Sequence, residues 1–276
     1  MTIAINGTTR LYAIIGDPIA QVGSPKAFSE RFAAAGRDAV LVPVHVPADR
    51  FDTIVPALMA IGNLDGLLVT IPFKPRMASF ASRLGPAAKC IGAVNALRRE
   101  ADGSWTGDMF DGAGFVRAME RKRVALRGRR VLLFGAGGAG SAIAYELAKA
   151  GAAAIALADP QAERAHALAK TLRAAVPACD VTAGRSVSSA VDMIVNASPI
   201  GTRAGDGLPG DVGTLRADML IGDVVVCDAP TPLIQQALEH GCTHVTGRDM
   251  LLGQVDAIVD FFAAASRRPS SQQLSS

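Results

Sequence analysis

The sequence predicts an α/β fold in two parts: an N-terminal α/β domain, and a C-terminal doubly wound domain built to bind a dinucleotide. Three observations carry that expectation. The apolar run 131–134 leads into glycines at 135, 137 and 140, spaced G-x-G-x-x-G, and a helix-forming segment, 141–150, follows them before Gly151. A second apolar strand, 153–158, ends in Asp159, roughly 20 residues past the glycines, where such folds place a ribose-binding carboxylate. Strand-like and helix-like segments alternate along the chain, the pattern of a parallel or mixed sheet.

Taken in order, residues 11–15 form a short strand ending at the turn signal Gly16-Asp17-Pro18. Ser24 reads as the N-cap of a helix with Pro25 at its first position; Phe28, Phe32 and Ala35 share its inner face, and Gly36 stops it. Residues 39–46 are a strand, 48–61 a helix with Phe51, Ile54, Val55 and Leu58 inward, and 67–71 a third strand that runs into Pro72-Phe73-Lys74-Pro75. A strand at 93–97 is followed by a turn at Asp102-Gly103. This first domain, 1–105, carries no nucleotide fingerprint and is assigned to the substrate.

A linking helix at 115–123 opens the second domain, 106–246. In the fingerprint, Gly135 would make the tight turn and Gly137 would let backbone approach a pyrophosphate. Gly138 belongs to the same loop, and Gly140 would let strand and helix pack closely, with phosphates at the helix N-terminus. Asp159 would accept hydrogen bonds from the adenosine 2′-hydroxyl and repel a 2′-phosphate. Pro160 and Gln161 follow it with no adjacent arginine, so the expected cofactor is NAD. A helix is expected at 161–175, then a buried strand from 191 running into Asn196-Ala197-Ser198-Pro199-Ile200-Gly201. Ligands lie outside the carboxyl ends of such strands, so Asn196 and Ser198 are expected beside a nicotinamide. A strand at 220–227 and a helix at 232–239 complete the domain, and a final helix follows at 247–265.

Half the residues are hydrophobic, enough for a sizeable core, and a net charge of +3 over 276 residues does not suggest a nucleic-acid partner. No apolar stretch is long enough to span a membrane, and residues 1–7 lack a signal-peptide pattern, so a cytoplasmic location is expected. Cys90, Cys179, Cys227 and Cys242 form no C-x-x-C pair, and no metal site is expected. The polar tail, 267–276, is expected to be disordered.

Oxidation of a secondary alcohol needs a base for the hydroxyl proton beside the hydride acceptor. Lys74 is the candidate amine, after a strand end and between two prolines, and Asp111 the candidate acid in the loop 107–112. From spacing alone, a surface lysine and an aspartate N-cap would account for them equally well.

Here the chain resembles the shikimate/quinate dehydrogenase family over nearly its whole length. The matching stretches are Gly16-Asp17-Pro18-Ile19 with Ser24-Pro25, Val69-Thr70-Ile71-Pro72-Phe73-Lys74, Gly92-Ala93-Val94-Asn95, and Gly107-Asp108 with Asp111-Gly112. They continue through Gly135 to Gly140, Asn196 to Gly201, and Gly247 with Met250-Leu251 and Gln254. The resemblance implies a substrate domain and a Rossmann domain with the active site in the cleft between them, and a last helix, about 247–266, returning to the first domain. It implies that Lys74 and Asp111 are the catalytic pair, and that Ser24, Thr70, Asn95 and Gln254 contact substrate. The partner would be a small cyclic hydroxy acid, and the protein a monomer or homodimer.

The departures bear on specificity. The first of two carboxylate-binding serines is replaced by Val22, the asparagine before Val69-Thr70 by Leu68, an Asn-Thr pair by Met109-Phe110, and a tyrosine by Val226. The phosphate-binding Asn-Arg-Thr of the NADP-using members falls on Asp159-Pro160-Gln161, in keeping with NAD. The expected activity is an NAD-dependent interconversion of a ring secondary alcohol and its ketone, on shikimate, quinate or a less polar cyclic acid. An NAD-binding sensor without turnover is the alternative.

Overall fold

A computed structural model describes residues 5–184, 191–203, 205–227 and 229–264. The expected disordered tail lies outside the described residues. The chain divides into two compact units, Met1–Met109 with Val255–Ser276, and Phe110–Gln254.

The first unit contains β1 (Arg10–Gly16), α1 (Ser24–Ala34), β2 (Ala39–His45), α2 (Phe51–Met59), β3 (Leu64–Val69), α3 (Lys74–Met77), β4 (Arg83–Leu84), α4 (Pro86–Ile91), β5 (Ala96–Arg99) and β6 (Trp105–Asp108). Its sheet runs β2-β1-β3-β5-β6-β4. β1 pairs in parallel with β2 and β3, whereas β5 is antiparallel to β3 and β6, so the sheet is mixed. Alternate residues of β1 and β3, Ala13, Ile15, Leu67 and Val69, share a core with Phe51, Val55 and Phe73. The peptide bonds before Pro18 and Pro72 are cis.

Ser24 is not the N-cap of α1. Gly23 holds that position, no side chain caps the helix, and Ser24 is its buried first residue. Ala35 is exposed past the helix end rather than inward, because α1 stops at Ala34 and Gly36 turns away with φ +66.

The second unit contains α5 (Asp111–Arg121), β7 (Arg130–Phe134), α6 (Gly138–Lys149), β8 (Ala154–Ala158), α7 (Ala162–Ala175), β9 (Asp180–Ala183), β10 (Met193–Asn196), β11 (Leu220–Asp223), α8 (Pro232–Glu239) and β12 (Thr243–Thr246). Its sheet order is β12-β11-β10-β7-β8-β9, and every pairing is parallel. The strand order reverses between β7 and β10. Their carboxyl ends therefore lie side by side, the place where doubly wound sheets hold ligands.

The final helix, α9 (Gly247–Ala263), is shared between the units rather than returning whole to the first. Its start packs on α5 so closely that a Cβ on Gly253 would lie 2.1 Å from the Gly114 carbonyl oxygen. Its end packs in the first unit, where the Phe262 ring lies 4.7 Å from that of Tyr12 and Arg31 pairs with Asp256 at 2.7 Å. The helix at 115–123 is likewise no linker: α5 begins at Asp111 and belongs to the second unit.

Candidate active site and dinucleotide cavity

In the first unit the expected substrate residues come from neighbouring chain segments. Thr70 follows β3, and its amide donates to the Ile15 carbonyl at 2.9 Å, tying it to the end of β1. Lys74 is the first residue of α3, half-buried, and its carbonyl accepts from Val94 N at 2.9 Å. Asn95 is buried, and its carbonyl accepts from Val69 N at 2.8 Å. These backbone bonds bring the segments carrying Thr70, Lys74 and Asn95 together. Ser24 is buried without the capping bond that would have explained it.

In the second unit Asp111 and Gln254 meet. Both are buried, and Gln254 Nε2 donates to Asp111 Oδ1 at 3.2 Å. Asp111 is not an N-cap: Phe110 holds that position, and no side chain caps α5.

The glycine loop has the geometry its spacing requires. Gly135 adopts φ +95, a region L side chains rarely occupy, and a Cβ there would lie 2.8 Å from the Ala197 backbone. A Cβ on Gly140 would lie 1.8 Å from the Gly135 carbonyl oxygen, so strand and helix approach only because none is present. Nothing lies within 4 Å of the same position on Gly137. α6 starts at Gly138 with no capping side chain and no acid in its first turn. Its amides and dipole are thus open to a phosphate, and the loop fits a dinucleotide.

Beside this loop lies a cavity of about 280 Å³, lined by Gly135, Asp159, His166 and Ser198 and by apolar side chains including Leu157 and Ile200. Asp159 follows β8, where its Oδ2 accepts from Ala136 N at 2.8 Å and its Oδ1 from Gln161 N at 2.8 Å. Each carboxylate oxygen keeps acceptor capacity for a ligand hydroxyl.

The expectation for Asn196 needs correction. The residue is 0% exposed, and its side chain is taken up by hydrogen bonds within the protein. Nδ2 donates to the Ile200 carbonyl at 2.9 Å and to Asp223 Oδ1 at 3.1 Å, while Oδ1 accepts from Ser198 N at 3.0 Å and Ser198 Oγ at 2.7 Å. That exhausts the amide's capacity. Ser198 lines the same cavity as Asp159, the acid expected at the ribose.

Asp223 and Thr231 went unnoticed in the sequence. Asp223 is the buried last residue of β11, and the signal for it was an acid ending an apolar strand. Thr231 precedes Pro232 and caps α8, accepting from Ile234 N at 3.3 Å, which the Thr-Pro pair could have flagged. His166 lines the cavity from α7, one turn after its first residue, Ala162.

Among the altered positions, Leu68 is 4% exposed inside β3 and Met109 is buried, whereas Val22 and Phe110 are half-buried and Val226 is exposed. Among the described residues, no helix is long and apolar enough to cross a membrane, and no cluster of His, Cys, Asp and Glu could hold a metal ion.

Comparison with known proteins agrees in both halves. Residues 14–97 match the family model described as shikimate dehydrogenase substrate binding domain, and residues 118–201 that of shikimate/quinate 5-dehydrogenase. A relative from Rubrobacter xylanophilus named shikimate dehydrogenase (NADP(+)) is 36% identical over 91% of this chain and 89% of its own. Shikimate 5-dehydrogenase from Listeria monocytogenes, solved with shikimate and NAD, superposes with a TM-score of 0.85 at 27% identity, covering 96% of this chain and 95% of that one. Quinate dehydrogenase from Corynebacterium glutamicum, solved with NAD, gives 0.82 at 30% identity, covering 93% and 94%.

Proposed function

The chain belongs to the shikimate/quinate dehydrogenase family, and we propose that it is an NAD-dependent member acting on a ring secondary alcohol, with a substrate pocket less suited to a carboxylate than its relatives'. As a family member it is an oxidoreductase of CH–OH groups that uses a nicotinamide dinucleotide. The cofactor, when bound, supplies the hydride acceptor. Lys74 Nζ takes the hydroxyl proton in oxidation and returns it in reduction, and Asp111 orients that amine. Ser24, Thr70, Asn95 and Gln254 hold the ring.

The observation that carries the preference for NAD is Asp159, a carboxylate in the cavity beside the glycine loop, with Pro160 rather than a basic residue after it. A 2′-phosphate would meet that charge with no basic residue at the two positions after it, whereas a 2′-hydroxyl would donate to it. The Rubrobacter relative is an NADP(+) enzyme by name, so the reading separates this chain from it.

The test is a screen of shikimate, quinate and related cyclic hydroxy acids with NAD and with NADP, read by nicotinamide absorbance, on the native protein and Asp159→Ala. Turnover should favour NAD, and the variant should narrow the gap about tenfold or more, the worth of a hydrogen bond to a charged group. A native preference for NADP would refute the cofactor assignment. NAD binding without turnover on any ring alcohol would favour a sensor instead.

A further inference from the structure

One buried polar chain in the second unit is not used by the proposed reaction. It starts at Asp223, 1% exposed, and ends at the cavity wall. Asp223 Oδ2 accepts from Thr231 Oγ1 at 2.7 Å, and Oδ1 accepts from Val225 N and Asn196 Nδ2, each at 3.1 Å. Burial raises the Asp223 pKa above its usual value, against the opposing pull of the Thr231, Val225 and Asn196 donors.

The direction of every bond along this chain is forced. A carboxylate only accepts, as does the Ile200 carbonyl, so Asn196 turns its amino group to both. Its oxygen then faces Ser198, whose one hydroxyl proton is spent on it at 2.7 Å. Ile200 N donates back to Ser198 Oγ at 3.3 Å. What Ser198 has left to offer the cavity is a lone pair.

We propose that Asp223 is a positioning residue: acting through Asn196, it fixes Ser198 as a hydrogen-bond acceptor on the wall of the cavity that Asp159 also lines. The other polar side chains of the cavity fit the same pattern. Asp159 accepts. His166 Nδ1 lies 2.8 Å from the Ala162 carbonyl and carries the ring hydrogen there, and in that tautomer Nε2 is an acceptor. A wall of acceptors selects the donor-rich adenosine end of a cofactor, its ribose hydroxyls and amino group. This rests on the dinucleotide reading above and extends it to residues behind the wall.

Calorimetric titration with NAD, and with nicotinamide hypoxanthine dinucleotide, tests it on native protein, Ser198→Ala, Asp223→Asn, Asp223→Ala and the double variant Ser198→Ala/Asp223→Ala. Ser198→Ala should weaken NAD binding about three- to tenfold, the range for one neutral hydrogen bond. The hypoxanthine analogue has an oxygen where adenine has its amino group. If it is insensitive to Ser198→Ala, the donor is that amino group; if it weakens equally, the donor is a ribose hydroxyl, and either supports the assignment. Asp223→Asn can still turn an oxygen to Asn196 and Val225, and should bind NAD within about twofold of native. Asp223→Ala should weaken NAD as much as Ser198→Ala, and in that background the serine change should cost less than about twofold.

Additive losses, or native affinity in Asp223→Ala, would overturn the proposal. Should Asp223→Ala fail to fold, the two conservative variants decide. Unchanged affinity in Ser198→Ala, or a loss in Asp223→Asn as large as that in Ser198→Ala, also overturns it. Native protein that binds neither NAD nor NADP would instead refute the dinucleotide reading.

Discussion

At the scale of single residues, chemistry and specificity separate. Lys74 is the only one of the two proposed catalytic groups that moves a proton to or from substrate, and such groups are worth roughly 10²–10⁴ in rate. Lys74→Ala should therefore cut turnover by that factor while NAD affinity, measured by calorimetry, stays near native; retained turnover would remove Lys74 from the mechanism. Val22 carries a different argument. It stands half-buried two residues before Ser24, where the family has a carboxylate-binding serine. One missing hydrogen bond to a carboxylate is worth about 1.5–3 kcal/mol, so the native protein should show a high KM for shikimate. Val22→Ser should lower that KM about tenfold, with a smaller change in kcat. Micromolar KM in the native protein would mean the serine was not needed. Leu68 and Met109 are weaker candidates for specificity, because both are packed into the core.

At the scale of elements, the decisive contact is between α5 and the start of α9. A Cβ on Gly114 would lie 2.3 Å from Gln254 Cγ and 2.7 Å from the Met250 carbonyl oxygen. One of these atoms is backbone, so no rotamer change relieves the clash, and overpacking of this kind costs about 1–3 kcal/mol. Gly114→Ala should lower the melting temperature and, by pushing Gln254 off Asp111, raise the KM of the ring alcohol; a variant with native KM would show that the pair is not needed for substrate. Much at this scale was legible in the sequence. β7, α6 and β8 are signalled by apolar runs and the glycine stop at Gly151, all of them local cues. What escaped had no local signal. β4 has two residues and so no period, β6 carries a glycine that a Cβ would drive to 2.9 Å from Val94, and β12 is Thr-His-Val-Thr with little apolar character. Ser24 and Asp111 have cap-forming side chains, yet each is the first residue inside its helix, a shift of one position that composition does not distinguish. Asn196 departs from its expected role for the opposite reason. Its partner Asp223 is 27 residues away, so a side chain at a strand end was expected to face a ligand when a distant acid had already claimed it.

At the scale of the molecule, the chain leaves the first unit after Met109 and re-enters it at Val255, so the second unit is an insertion and the end of α9 closes the first. Phe262 is the main contact of that closure. It is buried, its ring stacks 4.7 Å from that of Tyr12, and a Cβ on Gly66 of β3 would meet it at 2.8 Å. Arg98 reinforces the same end, donating to the Phe261 carbonyl at 2.8 Å. Removing a buried phenylalanine leaves a cavity worth about 3–5 kcal/mol, which should lower the melting temperature of Phe262→Ala by on the order of 10 °C. The loss falls in the unit carrying Ser24, Thr70, Lys74 and Asn95, whereas the glycine loop, Asp159 and the cavity belong wholly to the other. Below its melting point, Phe262→Ala should therefore raise the KM of the ring alcohol several-fold and leave the Kd of NAD within about twofold of native. An equal loss of both ligands would mean that the units do not divide the binding of substrate and cofactor in this way.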